Sequence, residues 1–136
     1  MSALNNQSEL TMARNELAKA LSEHLPVEDE LDIAFTDDQE AKIPDGRIGI
    51  FIVWFTGGSP TQPQVLAPVR YAMDCNVSCQ ARDEEQANRM RDRVHNLLRD
   101  WYPSRSHISP WSCEPFHDKR SQVYVNRVTI PMKIVA

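Results

Sequence analysis

The residues of this 136-residue chain best suited to chemistry are two aspartates, Asp32 and Asp74, each set in a stretch of alternating apolar and polar residues. Carboxylates converging from strand ends can hold a divalent metal for phosphodiester hydrolysis. Asp32 with Asp74 is the one pair that could be arranged that way, which keeps a small metal-dependent nuclease among the readings. His107, Cys113 and His117 are of zinc-ligand type, but their spacing matches no standard zinc pattern. Pro110 and Pro115 break any helix that would gather them, so an irregular strand with surface histidines is the simpler expectation. Cys75 and Cys79 share one face of an extended segment. At ~3.3 Å per residue they stand about 13 Å apart, too far for two thiolates that must each lie about 2.3 Å from one ion. They read as small buried hydrophobes.

The other charged groups have plainer explanations. Glu28-Asp29-Glu30 and Asp37-Asp38 fall in loops, and Asp83-Glu84-Glu85 suits the first turn of a helix, where the helix dipole favours carboxylates. His24 closes one helix and His95 lies on the wet side of another. Arg82, Arg89 and Arg93 fall on roughly one side of the second helix, with Arg91 and Arg99 nearby. They form a solvated face or a docking surface for an acidic partner; no aromatic residues interleave with them to stack bases. The chain has no GxGxxG, no P-loop and no GxSxG motif, and four glycines do not make a phosphate cradle. We therefore expect no catalytic residue, no metal site and no cofactor.

Composition points the same way. Charged residues make up 25% and hydrophobic ones 41%, as in ordinary globular domains. A net charge of -4 gives no electrostatic reason to expect nucleic-acid binding. No apolar run approaches the roughly 18 residues of a membrane span, and the start of the chain lacks the basic and apolar parts of a signal peptide. Three cysteines without framework spacing suit free thiols and synthesis in the cytoplasm. A chain of this length makes one domain, residues 1–136, able to bury its core without a staple.

The elements that position these groups can be read from periodicity. Residues 1–7 are polar and expected to be loose. From Ser8, a helix carries Leu10, Ala13, Leu17, Leu21 and Leu25 on one stripe and stops at Pro26. Leu31–Thr36 alternates as a short strand, and Pro44-Asp45-Gly46 marks a turn. Arg47–Thr56 is a strand apolar on both faces, with Ile48, Ile50, Ile52 and Trp54 on one and Phe51, Val53 and Phe55 on the other. Such a strand is covered on both sides or buried in a subunit contact. Residues 57–66, with Gly57, Gly58, Pro60, Gln62, Pro63 and Leu66, read as a loop or arm. From Val69 to Gln80 apolar and mostly polar residues alternate for twelve positions, the pattern of a strand with one dry face. Asp83 with Gln86 forms a capping box for a helix striped by Ala87, Met90, Val94, Leu97 and Trp101. Two further strands follow; in the last, apolar parity changes near Asn126-Arg127, which suggests a bulge, and Pro131 places the strand at least partly on an edge. Hairpin-like links make this an α+β fold: a mostly antiparallel sheet packed with two helices.

This layout resembles the tail terminator, or tail-completion, proteins of long-tailed bacteriophages and related particles. The matching features are the opening helix around Glu9–Leu25, the acidic stretch and strand at Leu31–Thr36, and Arg47–Thr56 with its arm Gly57–Leu66. The long strand Pro68–Ala81, the helix Asp83–Tyr102 and the closing Val123–Val135 strand with Arg127-Val128-Thr129-Ile130-Pro131 match as well. The likeness covers nearly the whole chain, in element order and texture and not in an invariant motif. It implies a non-enzymatic structural virion protein forming a homohexameric ring. The ring would cap the head-proximal end of the tail tube, stop its polymerisation and join the tail to the neck. Implied partners are copies of itself, the tube protein, a neck or connector protein and, in contractile tails, the sheath. DNA would pass through the lumen without specific binding, and no membrane is involved. The protein would reside in the virion tail after assembly in the host cytoplasm. Trp54, Phe55, the arm residues Gly57, Gly58, Pro60, Gln62, Pro63 and Leu66, and Arg89 and Arg93 are the residues expected at subunit or tube contacts. Another head–tail connector or tail subunit is the neighbouring alternative.

Overall fold

The alternating segment becomes the long middle strand of the sheet. A computed structural model of the chain describes residues 2–27, 30–38, 42–60, 69–99, 106–108 and 112–135. Its elements run α1 (Ser2–His24), β1 (Leu31–Phe35), β2 (Gly49–Pro60), β3 (Val69–Ala81), α2 (Glu84–Arg99), β4 (Ser106–Ile108), β5 (Ser112–Asp118) and β6 (Val123–Val135). The sheet order is β1-β2-β3-β6, with β4 and β5 both against the far side of β6. Every pairing is antiparallel except β1 with β2, which is parallel. The architecture is α+β.

One face of the sheet carries the main core. Phe51 and Val53 of β2, Met73, Cys75, Val77, Cys79 and Ala81 of β3, and Val128 and Ile130 of β6 meet the helices. From α1 come Leu17, Leu21 and Leu25; from α2 come Ala87, Met90, Val94 and Leu98. Each fully buried Leu or Phe contributes roughly 1.5–3 kcal/mol, so this layer dominates stability. Asp83 sits just before α2, and the Ala87 amide donates to the Asp83 carbonyl at 3.0 Å to open the helix. At the end of α1, the Arg93 guanidinium donates from Nε (3.0 Å) and Nη2 (2.7 Å) to the carbonyl of His24. This satisfies a helix-end acceptor that has no intrahelical partner and ties α1 to α2.

The opposite face has a smaller apolar cluster: Ile43, Ile50 and Ile52, with Ala34, Trp54 and Val123 beside it. Ile43 comes from the connection between β1 and β2, so this crossover covers part of that face. The turn within it is set by Gly46 at φ 83° and closed by the Arg47 amide on the Pro44 carbonyl at 3.1 Å. A positive φ at the third position of such a turn is where glycine is favoured. Beyond the cluster, Asn76 ties three strands together. Its Nδ2 donates to the Trp54 carbonyl (3.3 Å) and the Thr56 hydroxyl (3.1 Å), and its Oδ1 accepts from the Thr129 hydroxyl (3.1 Å).

Several expectations are corrected. Residues 2–7 belong to α1, and Ser8 lies inside the helix. Gly57–Pro60 are strand, paired with Tyr71–Met73 across a register shift between Gly57 and Ser59. Gly57 at φ 85° lets the chain bulge without leaving the ladder. Residues 61–66 of the expected arm lie outside the described residues. The bulge expected near Asn126-Arg127 is absent: β3 and β6 pair without slip from Tyr71↔Ile134 to Ala81↔Tyr124. Apolar parity changes there because Val125 is buried on the face away from the helices while Val128 and Ile130 are buried against them. Pro131 meets the expectation of a partial edge, because the far side of β6 has no strand partner there among the described residues. It falls between the stretch of β6 paired with β5, ending at Thr129, and the stretch paired with β4, starting at Met132.

Candidate interaction surfaces

β2 outruns its neighbour. β1 ends at Phe35 opposite Val53, and the Thr36 amide makes the last bond, 3.0 Å to the Val53 carbonyl. From Trp54 to Pro60, the outer edge of β2 faces no strand among the described residues. Trp54 and Phe55 point to opposite faces, and both are only half-buried. The Arg14 guanidinium lies 5.8 Å from the Phe55 ring centre and donates to the Gly57 carbonyl at 3.4 Å. Phe35, at the end of β1, is 46% exposed. Gly58 and Pro60 follow in the same strand. Gln62, Pro63 and Leu66 lie outside the described residues, so the expected contact surface is described at its base only.

The arginines of α2 divide. Arg89 is exposed, whereas Arg93 binds the end of α1 as above and has a structural task. Arg91 pairs with Asp92 at 3.1 Å, whereas Arg82, expected on the helix, lies before α2 begins and donates to the Arg47 carbonyl at 2.9 Å.

The chemical candidates do not assemble. Asp32 is level with Ile50, and Ile50 with Gln80, so Asp74 lies six residues further along β3 and two strands away. Six residues of strand span about 20 Å, which separates the two carboxylates beyond any shared ion. Asp32 Oδ1 instead accepts from the Ile33 amide at 2.8 Å. His107, Cys113 and His117 pair with Lys133, Val128 and Tyr124, strung out along β6. The His117 ring stacks on Tyr124 at 4.2 Å. No group of three His, Cys, Asp or Glu residues could hold a metal among the described residues. Cys75 and Cys79 are fully buried, and burial raises both thiols, Cys75 to about 12. No helix of the described residues is long and apolar enough to cross a membrane.

A cleft missed by sequence reading opens on the face away from the helices, with a volume of about 570 Å³. Its floor is β3 and β6, where Ser78, Gln80 and Val125 are buried. Its cations are Lys42, Arg82, Arg120 and Arg127; its acids are Asp45 and Asp118. The Asp118 carboxyl is held below the usual range, first by the Arg120 amide at 3.0 Å and then by Ser121, so its charge is taken up by the β5–β6 turn. Phe116, 43% exposed, forms one wall with the Arg127 guanidinium 5.7 Å from its ring centre. The cue was available in parity: Ser78 and Gln80 on β3, with Arg82 just past its end, alternate as Val123, Val125 and Arg127 do on β6, and antiparallel pairing sets Ser78 opposite Arg127.

No known protein family and no curated protein matches the chain.

Proposed function

We propose that this protein is a structural subunit that assembles into a ring and terminates a phage-type tail tube, joining it to the neck. The observation that carries the reading is β2, apolar on both faces and with no strand on its outer edge beyond Val53 among the described residues. An edge that stays open is a template for another chain, and head-to-tail contacts that close generate rings. The α+β architecture and element order agree with the layout implied by the sequence resemblance. The distance between Asp32 and Asp74 removes the one constellation that favoured a nuclease.

In this reading Trp54, Phe55 and the residues after them meet a neighbouring subunit or the tube. Further partners are the neck protein and, in a contractile tail, the sheath; DNA crosses the lumen. Native mass spectrometry and negative-stain imaging of the purified protein test it. A ring of six that stops tube protein from polymerising is the expected result. A monomer that leaves tube growth unchanged overturns the reading.

A further inference from the structure

We propose that the cleft over β3 and β6 binds an extended acidic peptide segment of a partner protein. The inference stands independently of ring formation. Four cationic side chains, Lys42, Arg82, Arg120 and Arg127, surround the cleft against two carboxylates, and Asp118 is already engaged by its own turn. The chain as a whole is acidic, at net charge -4, so this local excess of positive charge runs against the background. Like-charged clefts concentrate the opposite charge from solution.

The spacing of the cations selects the ligand. Arg127 lies opposite Ser78, and Arg82, just past the end of β3, is four residues further along the chain, so their backbones stand about 13 Å apart at strand rise. An extended peptide with carboxylates on alternate residues suits this spacing, because its side chains repeat every two residues along the same rise and each arginine can meet a carboxylate of its own. Between the charged stations lie Val125 and the exposed Phe116, apolar surfaces that suit the intervening side chains. Ser78 and Gln80, hydrogen-bonded to each other at 3.0 Å, supply a polar floor. A long polyanion such as single-stranded DNA fits less well, because Asp45 stands at the cleft and the net negative charge of the subunit repels it. The volume is in the range of specific ligand pockets, roughly 300–1,000 Å³.

The test is a fluorescence-anisotropy titration of the full chain with a labelled short peptide alternating glutamate and leucine. The lysine–leucine counterpart and a labelled oligothymidylate of similar length are titrated in parallel. Saturable binding of the glutamate peptide that weakens with added salt is expected, with none for the lysine peptide. Lys42 and Arg120 are surface residues, so the double variant Lys42→Glu/Arg120→Glu should keep its circular dichroism and melting curve while losing about tenfold in affinity. Phe116→Ser should weaken binding without changing its salt dependence. Absence of binding, unchanged affinity in a folded Lys42→Glu/Arg120→Glu variant, or tighter binding of oligothymidylate would each overturn the proposal.

Discussion

Gly49 sits where the β3 backbone and Met90 of α2 both approach β2 closely, and replacing it tests the packing of the main core there. A Cβ built at Gly49 would lie 2.8 Å from the Gln80 carbonyl oxygen and 2.8 Å from Met90 Sδ. Both distances are below any ordinary contact. Met90 can yield by rotating, but the Gln80 carbonyl belongs to the β2–β3 ladder and cannot move without disturbing the Ile50↔Gln80 pair. Overpacking a dense core costs about 1–3 kcal/mol. Against this, alanine lowers the entropy of the unfolded chain and returns about 0.4–1 kcal/mol. The net expectation for Gly49→Ala is a destabilisation of about 0.5–2 kcal/mol. With a urea slope of roughly 2 kcal/mol/M for a chain of this size, the midpoint should fall by about 0.3–1 M at fixed protein concentration. A double-mutant cycle separates the two contacts. In a Met90→Ala background the cost of Gly49→Ala should shrink but not vanish, because the carbonyl remains. A Gly49→Ala protein as stable as wild type, or a cost abolished entirely by Met90→Ala, would refute the claim that backbone approach is the limiting contact.

Other perturbations read out separate parts of the molecule. Gln122 closes the β5–β6 turn at φ 57°, a left-handed backbone that side chains resist; Gln122→Gly should stabilise by about 0.5–1 kcal/mol in the same urea assay. Cys113 is exposed whereas Cys75 and Cys79 are buried, so a thiol reagent should modify one cysteine at once and two more only on unfolding. The buried thiols also give stability a pH dependence. Their folded values are raised above 9.0, so between about pH 9 and 12 the unfolded chain sheds protons that the folded one keeps. Stability from this source is complete below pH 9 and falls as pH rises, by about 1.4 kcal/mol per pH unit per thiol; Cys75→Ala should flatten the decline. Finally, Trp54→Ser should abolish the proposed ring, read by native mass spectrometry, and should lower the melting temperature of the subunit because Trp54 also packs against Ile43, Ile50 and Ile52; a ring formed by the folded variant would remove Trp54 from the contact surface.

Much of the fold was legible because each strong signal had one physical meaning. The Leu17, Leu21, Leu25 stripe and the Ala87, Met90, Val94 stripe could only be helix faces, and both are buried against the sheet. Leu98 is buried and Leu97 only partly so, a small rotation of the second stripe that spacing alone does not set. The two-sided β2 was legible too, since no other arrangement hides Phe51, Val53, Ile50 and Ile52 together. Misreadings came where one pattern has two causes. At Val125 and Val128 a change of parity looks the same whether the strand bulges or both its faces are covered. At Gly57–Pro60, glycine and proline signal a loop, yet a glycine bulge lets the ladder continue. The parallel pairing of β1 was hidden because nothing local distinguishes a crossover from a wide hairpin. The cleft was missed because its cations come from three separate stretches of chain, at Lys42, Arg82 and Arg120–Arg127, joined only by pairing.

A perfectly alternating strand has a hidden ambiguity, and Asn76 resolves it. Sliding β3 by two residues would return every side chain to its proper face, so hydrophobic burial alone scarcely tells the true alignment from its neighbours. Such a slide would carry the amide of Asn76, 7% exposed, away from Trp54, Thr56 and Thr129 and leave buried polar atoms unmatched, at about 1–3 kcal/mol each. A single polar side chain thus acts as the index mark by which three strands find the same zero.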